Sequence, residues 1–265
     1  MNILVCVKQV PDTTEIKIDP VTNTLIREGV PSIVNTFDGY ALEIAARVRD
    51  KNGGTITILT MGPEQAKKAI KECLAVGADK GVLLSDRAFG GSDTLATSYV
   101  LSRAVRHLEG RLGCFDVVFC GKQAIDGDTG QVGPELAAHL GRPQVTYASD
   151  VEVVDGELRV KRESDEGYDI ISCPTPAVVT VVKTAYEPRN PTIKGKLAAN
   201  RAEIPTLTAA DFEIDTSLCG LNGSPTKVKK TYTPARGGKV VKIQESDASK
   251  SAAALMAMLS DAKIL

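Results

Sequence analysis

Short apolar runs alternate with amphipathic helical patterns through the first 120 residues, and this alternation restricts the fold more than any other feature. The runs are continuously apolar, which is typical of strands buried on both faces of a parallel sheet. They cover residues 3–7, 56–59, 81–84 and 117–120. Between them, apolar residues recur at helical spacing at Ala41, Ile44, Ala45 and Val48, at Ala66, Ala69, Ile70 and Cys73, and at Leu101, Ala104, Val105 and Leu108. This order predicts right-handed crossovers and a doubly wound, mostly parallel α/β sheet.

The pattern changes after residue 145, where short strand-like segments follow one another without helices. They are residues 148–154, 157–162, 168–173 and 177–183. The dipeptides Asp155-Gly156 and Glu166-Gly167 are turn signals between them. We therefore expect antiparallel hairpins at one edge of the sheet.

Charge is balanced over the whole chain but not along it. The 32 Lys+Arg and 33 Asp+Glu give a net charge of −1, so no global positive field attracts nucleic acid or an anionic membrane. Residues 183–242, however, contain 11 Lys+Arg and 5 Asp+Glu, a net +6, with few apolar clusters. This segment is either a solvated linker or an arm that becomes ordered on a partner. Residues 247–262 have an apolar stripe at helical spacing, which predicts a docking helix at the end of the arm.

Several functional classes are disfavoured by composition. Aromatic residues make up only 4% of the chain and Trp is absent, which opposes a stacking platform for single-stranded nucleic acid. The six cysteines have no zinc-ligand spacing and only two histidines accompany them, so no metal site is predicted. The amino terminus lacks the pattern of a signal peptide, and no stretch of 18 apolar residues occurs. We expect a cytoplasmic protein without membrane insertion.

The richest candidate site follows the fourth apolar run. Ligands of open α/β sheets bind outside the carboxyl ends of the strands, and residues 121–133 at such an end contain Gly121, Gly127, Gly130 and Gly133. Glycines allow backbone N–H groups to approach a phosphate, and a helix predicted to begin nearby adds its positive end. The spacing matches neither the Walker loop nor GxGxxG. Spacing alone leaves a nucleotide site and a glycine-rich turn equally open, and Asp126 and Asp128 either orient a ribose or close turns.

No catalytic side chain can be assigned from the sequence. There is no GxSxG motif, and His107 and His139 fall in predicted helices, where a structural role is the more frequent one.

Three separated motifs resemble the β subunit of electron transfer flavoprotein. The first is Gly121-Lys122-Gln123-Ala124-Ile125-Asp126-Gly127-Asp128, followed by Gln131 and Gly133. The second is Val160-Lys161-Arg162-Glu163-Ser164-Asp165-Glu166-Gly167, and the third is Glu187-Pro188-Arg189-Asn190-Pro191-Thr192-Ile193. With residues 5–12, the resemblance extends over nearly the whole chain.

The resemblance implies a Rossmann-like, adenine-nucleotide-binding fold and a set of site residues. Carried over by motif, the cofactor site comprises Cys6, Asn35, Thr36, Phe37, Asp38, Met61, Gly121, Lys122, Gln123, Ala124, Ile125, Asp126, Gly127, Asp128, Thr129, Gly130, Gln131 and Val132. The family usually reads Asn-Pro-Phe where this chain has Asn35-Thr36-Phe37. Glu187, Pro188, Arg189 and Ile193 correspond to the loop that docks on acyl-CoA dehydrogenases.

The resemblance also implies partners and a domain arrangement. It implies a heterodimer with a flavin-carrying α subunit, a nucleotide-binding domain over 1–205 with its docking loop at 187–200, and an arm over 206–265 that contacts the α subunit. In one branch of the family the β site holds structural AMP. In the electron-bifurcating branch it holds FAD, which takes hydride from NADH and divides the electrons between a ferredoxin or flavodoxin and the α-subunit flavin. Residues 10–13 and 194–200 resemble the bifurcating branch, and an ATP- or AMP-binding regulatory module is the alternative from another class.

Overall fold

The computed structural model describes residues 1–12, 31–229 and 241–264. Thr13 of the segment 10–13, and residues 230–240 of the predicted arm, lie outside the described residues. Contacts divide the chain into two units, Met1–Lys229 and Lys230–Leu265. The boundary at 205/206 and the contact of the arm with an α subunit stay predictions.

A nine-stranded sheet forms the centre of the first unit, in the order β11-β5-β4-β1-β6-β10-β7-β8-β9. Its strands are β1 (Asn2–Cys6), β4 (Thr55–Met61), β5 (Lys80–Leu84), β6 (Val117–Gly121), β7 (Gln144–Val154), β8 (Glu157–Ser164), β9 (Gly167–Cys173), β10 (Ala177–Val181) and β11 (Thr206–Leu207). β2 (Gln9–Pro11) and β3 (Ser32–Val34) form a separate antiparallel pair. The four apolar runs of the sequence are β1, β4, β5 and β6, as predicted.

Helices cover both faces of this sheet. They are α1 (Thr36–Asn52), α2 (Lys67–Ala75), α3 (Thr94–Leu112), α4 (Val132–Leu140), α5 (Ile193–Arg201) and the single turn α6 (Gly220–Gly223). α1 and α2 bury their apolar sides in one core cluster, and α3 and α4 bury theirs in the other. The predicted doubly wound α/β fold is therefore confirmed.

The predicted hairpins are also present, with one correction. Asp155 (φ 52°) and Gly156 (φ 83°) both adopt positive φ, as a type I′ turn requires, and they connect β7 to β8, which pair antiparallel. Residues 165–166 connect β8 to β9, which also pair antiparallel. Residues 177–183 do not join this edge. β10 instead lies in the middle of the sheet, parallel to both β6 and β7, and all five of its residues are buried. Its continuous apolar sequence is typical of a central parallel strand, a signal that the preceding hairpins obscured.

Residues 183–229 of the basic segment bury more apolar side chains than their composition predicted. β11 pairs parallel with β5, and Leu207, Phe212 and Cys219 are buried in the core cluster that contains α3. A few well-placed apolar residues thus fix this stretch to the first unit. In the second unit, α7 (Ala248–Asp261) is the predicted terminal helix, and Asp247 caps it by accepting a hydrogen bond from the Lys250 N–H at 2.9 Å.

Candidate functional site

The carboxyl ends of three neighbouring strands define the candidate site. Cys6 ends β1, Met61 ends β4 and Gly121 ends β6, and β1 lies between the other two strands in the sheet. The chain leaves β1 towards α1 on one face and leaves β6 towards α4 on the other, so this is the switch point at which ligands of such sheets bind. Residues 121–131, here called the site loop, follow β6 directly.

Asn35 connects the start of α1 to the site loop. Its side-chain amide donates to the Gln123 carbonyl at 2.9 Å, and its side-chain carbonyl accepts from the Ile125 N–H at 3.0 Å. The side chain makes no capping bond to its own helix, which begins with Thr36 and Phe37. Asn35 is therefore used as a cross-link between two parts of the predicted site.

Asp38 makes the second connection. It is 6% exposed, and its two carboxylate oxygens accept hydrogen bonds from the backbone N–H groups of Lys8 at 2.7 Å and Gly121 at 3.1 Å. Burial raises the pKa of Asp38 to about 7, although these hydrogen bonds favour the charged form and oppose the shift. The contact is close: a Cβ on Gly121 would lie 2.3 Å from Asp38 Oδ1. Only glycine fits at this point.

The two acidic residues of the site loop make contacts that close the loop. Lys8 Nζ lies 2.5 Å from Asp126 Oδ1, and the Gln123 side-chain amide donates to Asp128 Oδ1 at 2.6 Å. The Ala124 carbonyl accepts from the N–H groups of residues 127 and 128, and Asp128 has a positive φ of 53°. The sequence left open whether Asp126 and Asp128 orient a ribose or close turns, and the contacts of both residues in the structure are ones that close the loop.

Backbone amides remain available where the site loop enters α4. The N–H groups of Thr129, Gly130 and Gln131 donate no backbone hydrogen bond within the described part of the chain. α4 begins at Val132, and its first N–H groups have no intrahelical acceptor. Free amides beside the positive end of a helix form a donor set suited to phosphate oxygens. The residues present therefore fit a nucleotide.

The remaining predicted cofactor residues lie at the margin of this arrangement. The Lys122 N–H donates to the Val181 carbonyl at 2.7 Å, and its ammonium lies 5.3 Å from the centre of the Tyr147 ring. Cys6 is next to Cys120 on the neighbouring strand, and contact with Cys6 together with burial raises the pKa of Cys120 well above its usual value. Both thiols are buried, and Met61 is half-buried beside them on β4.

The predicted docking residues lie away from the site loop, and they differ in their contacts with α1. Ile193 begins α5 and is 82% exposed. Arg189, by contrast, is bonded to α1 through Glu43 and Asp50. Pro188 packs beside Gly39, and Glu187 Oε2 lies 3.5 Å from the Tyr40 hydroxyl. The structure thus leaves Ile193 free and engages the other three with α1.

Two contacts of these arrangements were not predicted from the sequence. Lys8 holds Asp126 across 118 positions, and Glu43 holds Arg189 across 146. Lys8 follows a strand on the carboxyl side, which was an available signal. Glu43 lies within a helix that was interpreted only by its apolar stripe, and a polar residue in such a helix gives no local indication of a distant partner.

Comparison with known proteins agrees with this geometry. The model of the electron transfer flavoprotein domain matches residues 22–212. A protein named electron transfer flavoprotein subunit beta from Megasphaera elsdenii is 52% identical over 252 residues, which cover 93% of each chain. This chain belongs to the β subunits of the electron transfer flavoprotein family. Membership of this family implies an α-subunit partner.

Other members of the family extend the comparison. A protein of the same name from Thermoanaerobacterium thermosaccharolyticum is 53% identical over 91% of this chain and 92% of its own length. A protein named caffeyl-CoA reductase-Etf complex subunit CarD, from Acetobacterium woodii, is 43% identical over the full length of both chains. Within the described residues, no helix is long and apolar enough to cross a membrane. The same residues contain no group of three or more His, Cys, Asp or Glu side chains placed to hold a metal ion.

Proposed function

We propose that this chain is the nucleotide-binding β subunit of a heterodimeric, electron-bifurcating flavoprotein, and that its own site holds FAD. In this function, NADH supplies a hydride, and the electrons are divided between a low-potential ferredoxin or flavodoxin and the flavin of the α subunit. The α-subunit flavin then delivers electrons to an acyl-CoA dehydrogenase. The observation that carries the proposal is the group of free amides at residues 129–131, placed before α4 at the switch point of the sheet.

This chain contributes binding and orientation, since flavin supplies hydride acceptance and one-electron transfer when it is bound. The free amides and the start of α4 would neutralise the pyrophosphate. Asn35 and Asp38 hold the site loop in place, and the ion pair of Lys8 with Asp126 closes it. No side chain needs to transfer a proton in this function, in agreement with the absence of a recognisable catalytic triad in the sequence.

Two further observations favour the bifurcating branch and an acyl-CoA partner. Residues 10–13 and 194–200 resemble the bifurcating branch. The name of the Acetobacterium woodii relative places that protein in a complex with a caffeyl-CoA reductase. A partner that acts on a coenzyme A thioester is therefore the proposed electron acceptor.

The number of flavins per heterodimer tests the proposed function. We expect the purified heterodimer to contain about two FAD molecules, one in each subunit, because the proposed function needs a second flavin in the β site. Asn35→Ala should reduce the content to about one, since it removes both hydrogen bonds that the Asn35 side chain makes to the site loop. Quantifying FAD and AMP by chromatography after denaturation measures this content.

Asn52→Ala is the matched control, because among the described residues the Asn52 side chain bonds only to the Val48 carbonyl, at the far end of α1. We expect this variant to retain the full flavin content. A wild-type heterodimer with one FAD and one AMP would contradict the bifurcating function and assign the β site to a structural nucleotide. The bifurcating function would also be contradicted if NADH still reduced the heterodimer when the β site contains no flavin.

Docking of the dehydrogenase on Ile193 is tested separately. The Ile193 side chain is 82% exposed, and burying it in a partner pocket would contribute about 1.5–3 kcal/mol. We expect Ile193→Ala to raise the apparent KM for the dehydrogenase roughly tenfold. The flavin content and the rate at which NADH reduces the flavin should not change. Ile170→Ala, at a 50% exposed position on β9, is the matched control. Equal KM values in the two variants would refute the docking role.

A further inference from the structure

One polar face of α1 holds the segment that precedes α5. The side chains of Tyr40, Glu43, Arg47 and Asp50 are spaced by three, four and three residues, which places them on the same side of the helix. All four contact residues 186–189. The Arg47 guanidinium lies 3.5 Å above the ring of Tyr186, and the Tyr40 hydroxyl lies 3.5 Å from Glu187 Oε2. The two carboxylates of the face, Glu43 and Asp50, bind Arg189.

Arg189 is the centre of this contact. Its Nε lies 2.9 Å from Glu43 Oε2 and its Nη2 lies 3.1 Å from Glu43 Oε1, so the guanidinium and the carboxylate meet as two parallel hydrogen bonds. The Arg189 backbone N–H also donates to Glu43 Oε2, at 3.1 Å. The Glu43 side chain is only 7% exposed, and Nη1 of Arg189 reaches the exposed Asp50 at 3.0 Å. Arg189 is thus directed into the protein rather than out to a partner.

The apolar ridge of α5 begins four residues beyond this contact. Ile193 is 82% and Leu197 54% exposed, and their spacing of four residues places them on one side of the helix. The opposite side of α5 is fixed on α2, since a Cβ on Gly195 would lie 2.4 Å from the Ala75 carbonyl oxygen. α2 contacts α5, and α1 contacts residues 186–189, which precede α5. The direction of the ridge is therefore set by these two contacts.

We propose that Arg189 is a positioning residue, whose paired hydrogen bonds to Glu43 hold the Ile193–Leu197 ridge in the orientation that the electron-accepting partner binds. This inference rests on the proposed docking function, and it changes the role of Arg189 within the motif from a partner contact to an internal support. A ridge that is already ordered loses less conformational entropy on binding than a flexible loop. The support therefore acts on the affinity of the partner and not on electron transfer within the heterodimer.

Glu43→Gln and Glu152→Gln form a matched pair of variants for the test. Both glutamates pair with a cation, but Glu152 pairs with Lys51 at the exposed end of α1, away from residues 186–189. Glutamine at position 43 retains one acceptor and places an N–H₂ group against the guanidinium, so the paired contact is lost. Arg189→Lys is the conservative partner variant, which retains the charge but not the two parallel bonds.

Two measurements on the flavin-loaded heterodimer are made for each variant. The first is the rate of tryptic cleavage between residues 194 and 195 under native conditions, followed by mass spectrometry, which reports opening of the segment without any dehydrogenase. The second is the KM for the dehydrogenase, compared with kcat. For Glu43→Gln we expect both the cleavage rate and the KM to rise roughly tenfold, with kcat and flavin content unchanged. Arg189→Lys should give a smaller rise in both, and Glu152→Gln should match the wild type.

The outcomes separate this inference from the docking function. Cleavage of Glu43→Gln at the rate of Glu152→Gln would overturn the positioning role, whatever the KM. A raised KM in Arg189→Lys with an unchanged KM in Glu43→Gln would overturn it too, because Arg189 would then contact the partner directly. A raised KM in Ile193→Ala with an unchanged KM in Glu43→Gln would leave docking intact and remove the positioning role. Unchanged KM values in both Ile193→Ala and Glu43→Gln would instead overturn docking itself.

Discussion

Replacing Gly121 by alanine is expected to destabilise the chain by about 3 kcal/mol, near the upper end of the usual cost of overpacking. The new Cβ would lie 2.3 Å from Asp38 Oδ1, 2.7 Å from Phe37 Cβ and 2.8 Å from the Asp38 backbone nitrogen. Phe37 Cβ and the Asp38 nitrogen are fixed by the backbone of the first turn of α1, so rotating a flexible side chain cannot relieve these two contacts. The start of α1 and the site loop must separate instead.

The same substitution should also abolish nucleotide binding, because separation breaks the hydrogen bond from the Gly121 N–H to Asp38. Gly127→Ala is the matched control for stability, since its added Cβ would meet no atom within 4 Å. Urea unfolding of both variants measures the difference in free energy of unfolding. Equal midpoints for the two variants would show that α1 and the loop are not in the close contact described above.

As the pH rises from about 4 to 7, the free energy of unfolding of the wild type is expected to decrease by about 4 kcal/mol more than that of Asp38→Asn. The pKa of Asp38 is raised by burial from 3.8 to about 7 in the folded chain. Between these two values the folded chain holds a proton that the unfolded chain has released, so raising the pH favours unfolding. Above about pH 7 both states are deprotonated at this position and no further change is expected.

Asparagine at position 38 removes this titration, and its altered hydrogen bonding lowers the free energy of unfolding by an amount that does not depend on pH. The two side-chain oxygens of Asp38 each accept a backbone N–H, from Lys8 and from Gly121, and both keep lone pairs when the group is protonated. The asparagine amide offers only one oxygen and places its NH₂ against the other donor. The variant should therefore be less stable than the wild type at pH 4, and the difference should shrink with increasing pH. Urea unfolding at a series of pH values tests this, and parallel stability curves for the two proteins would contradict the raised pKa.

Much of the fold followed from local patterns. Continuous apolar runs identified β1, β4, β5 and β6, and stripes at helical spacing identified α1, α2, α3 and α7. The glycines of the site loop and its place after β6 predicted a nucleotide site at the strand ends, which stays a prediction. These features could be predicted because strand burial, helix amphipathicity and turn chemistry depend on neighbouring residues.

The failures share a cause, which is that the deciding contact lies far away along the chain. β10 was assigned to the edge because it follows three antiparallel strands, yet its neighbours in the sheet are β6 and β7 on either side. The segment up to Lys229 was expected to bury little, yet β11 extends the sheet beside β5. Position within a sheet depends on long-range pairing, which a single sequence does not record.

The sequence by itself determined the doubly wound α/β class and the family, and it predicted a candidate site at the strand ends, because each depends on local composition or on motifs in order. Tertiary structure decided what the polar residues of α1 do. Asp38 and Glu43 are five positions apart on one helix, but one secures Gly121 across 83 positions and the other secures Arg189 across 146. A carboxylate has no pattern that names its partner, and only folding brings the donors within hydrogen-bond distance.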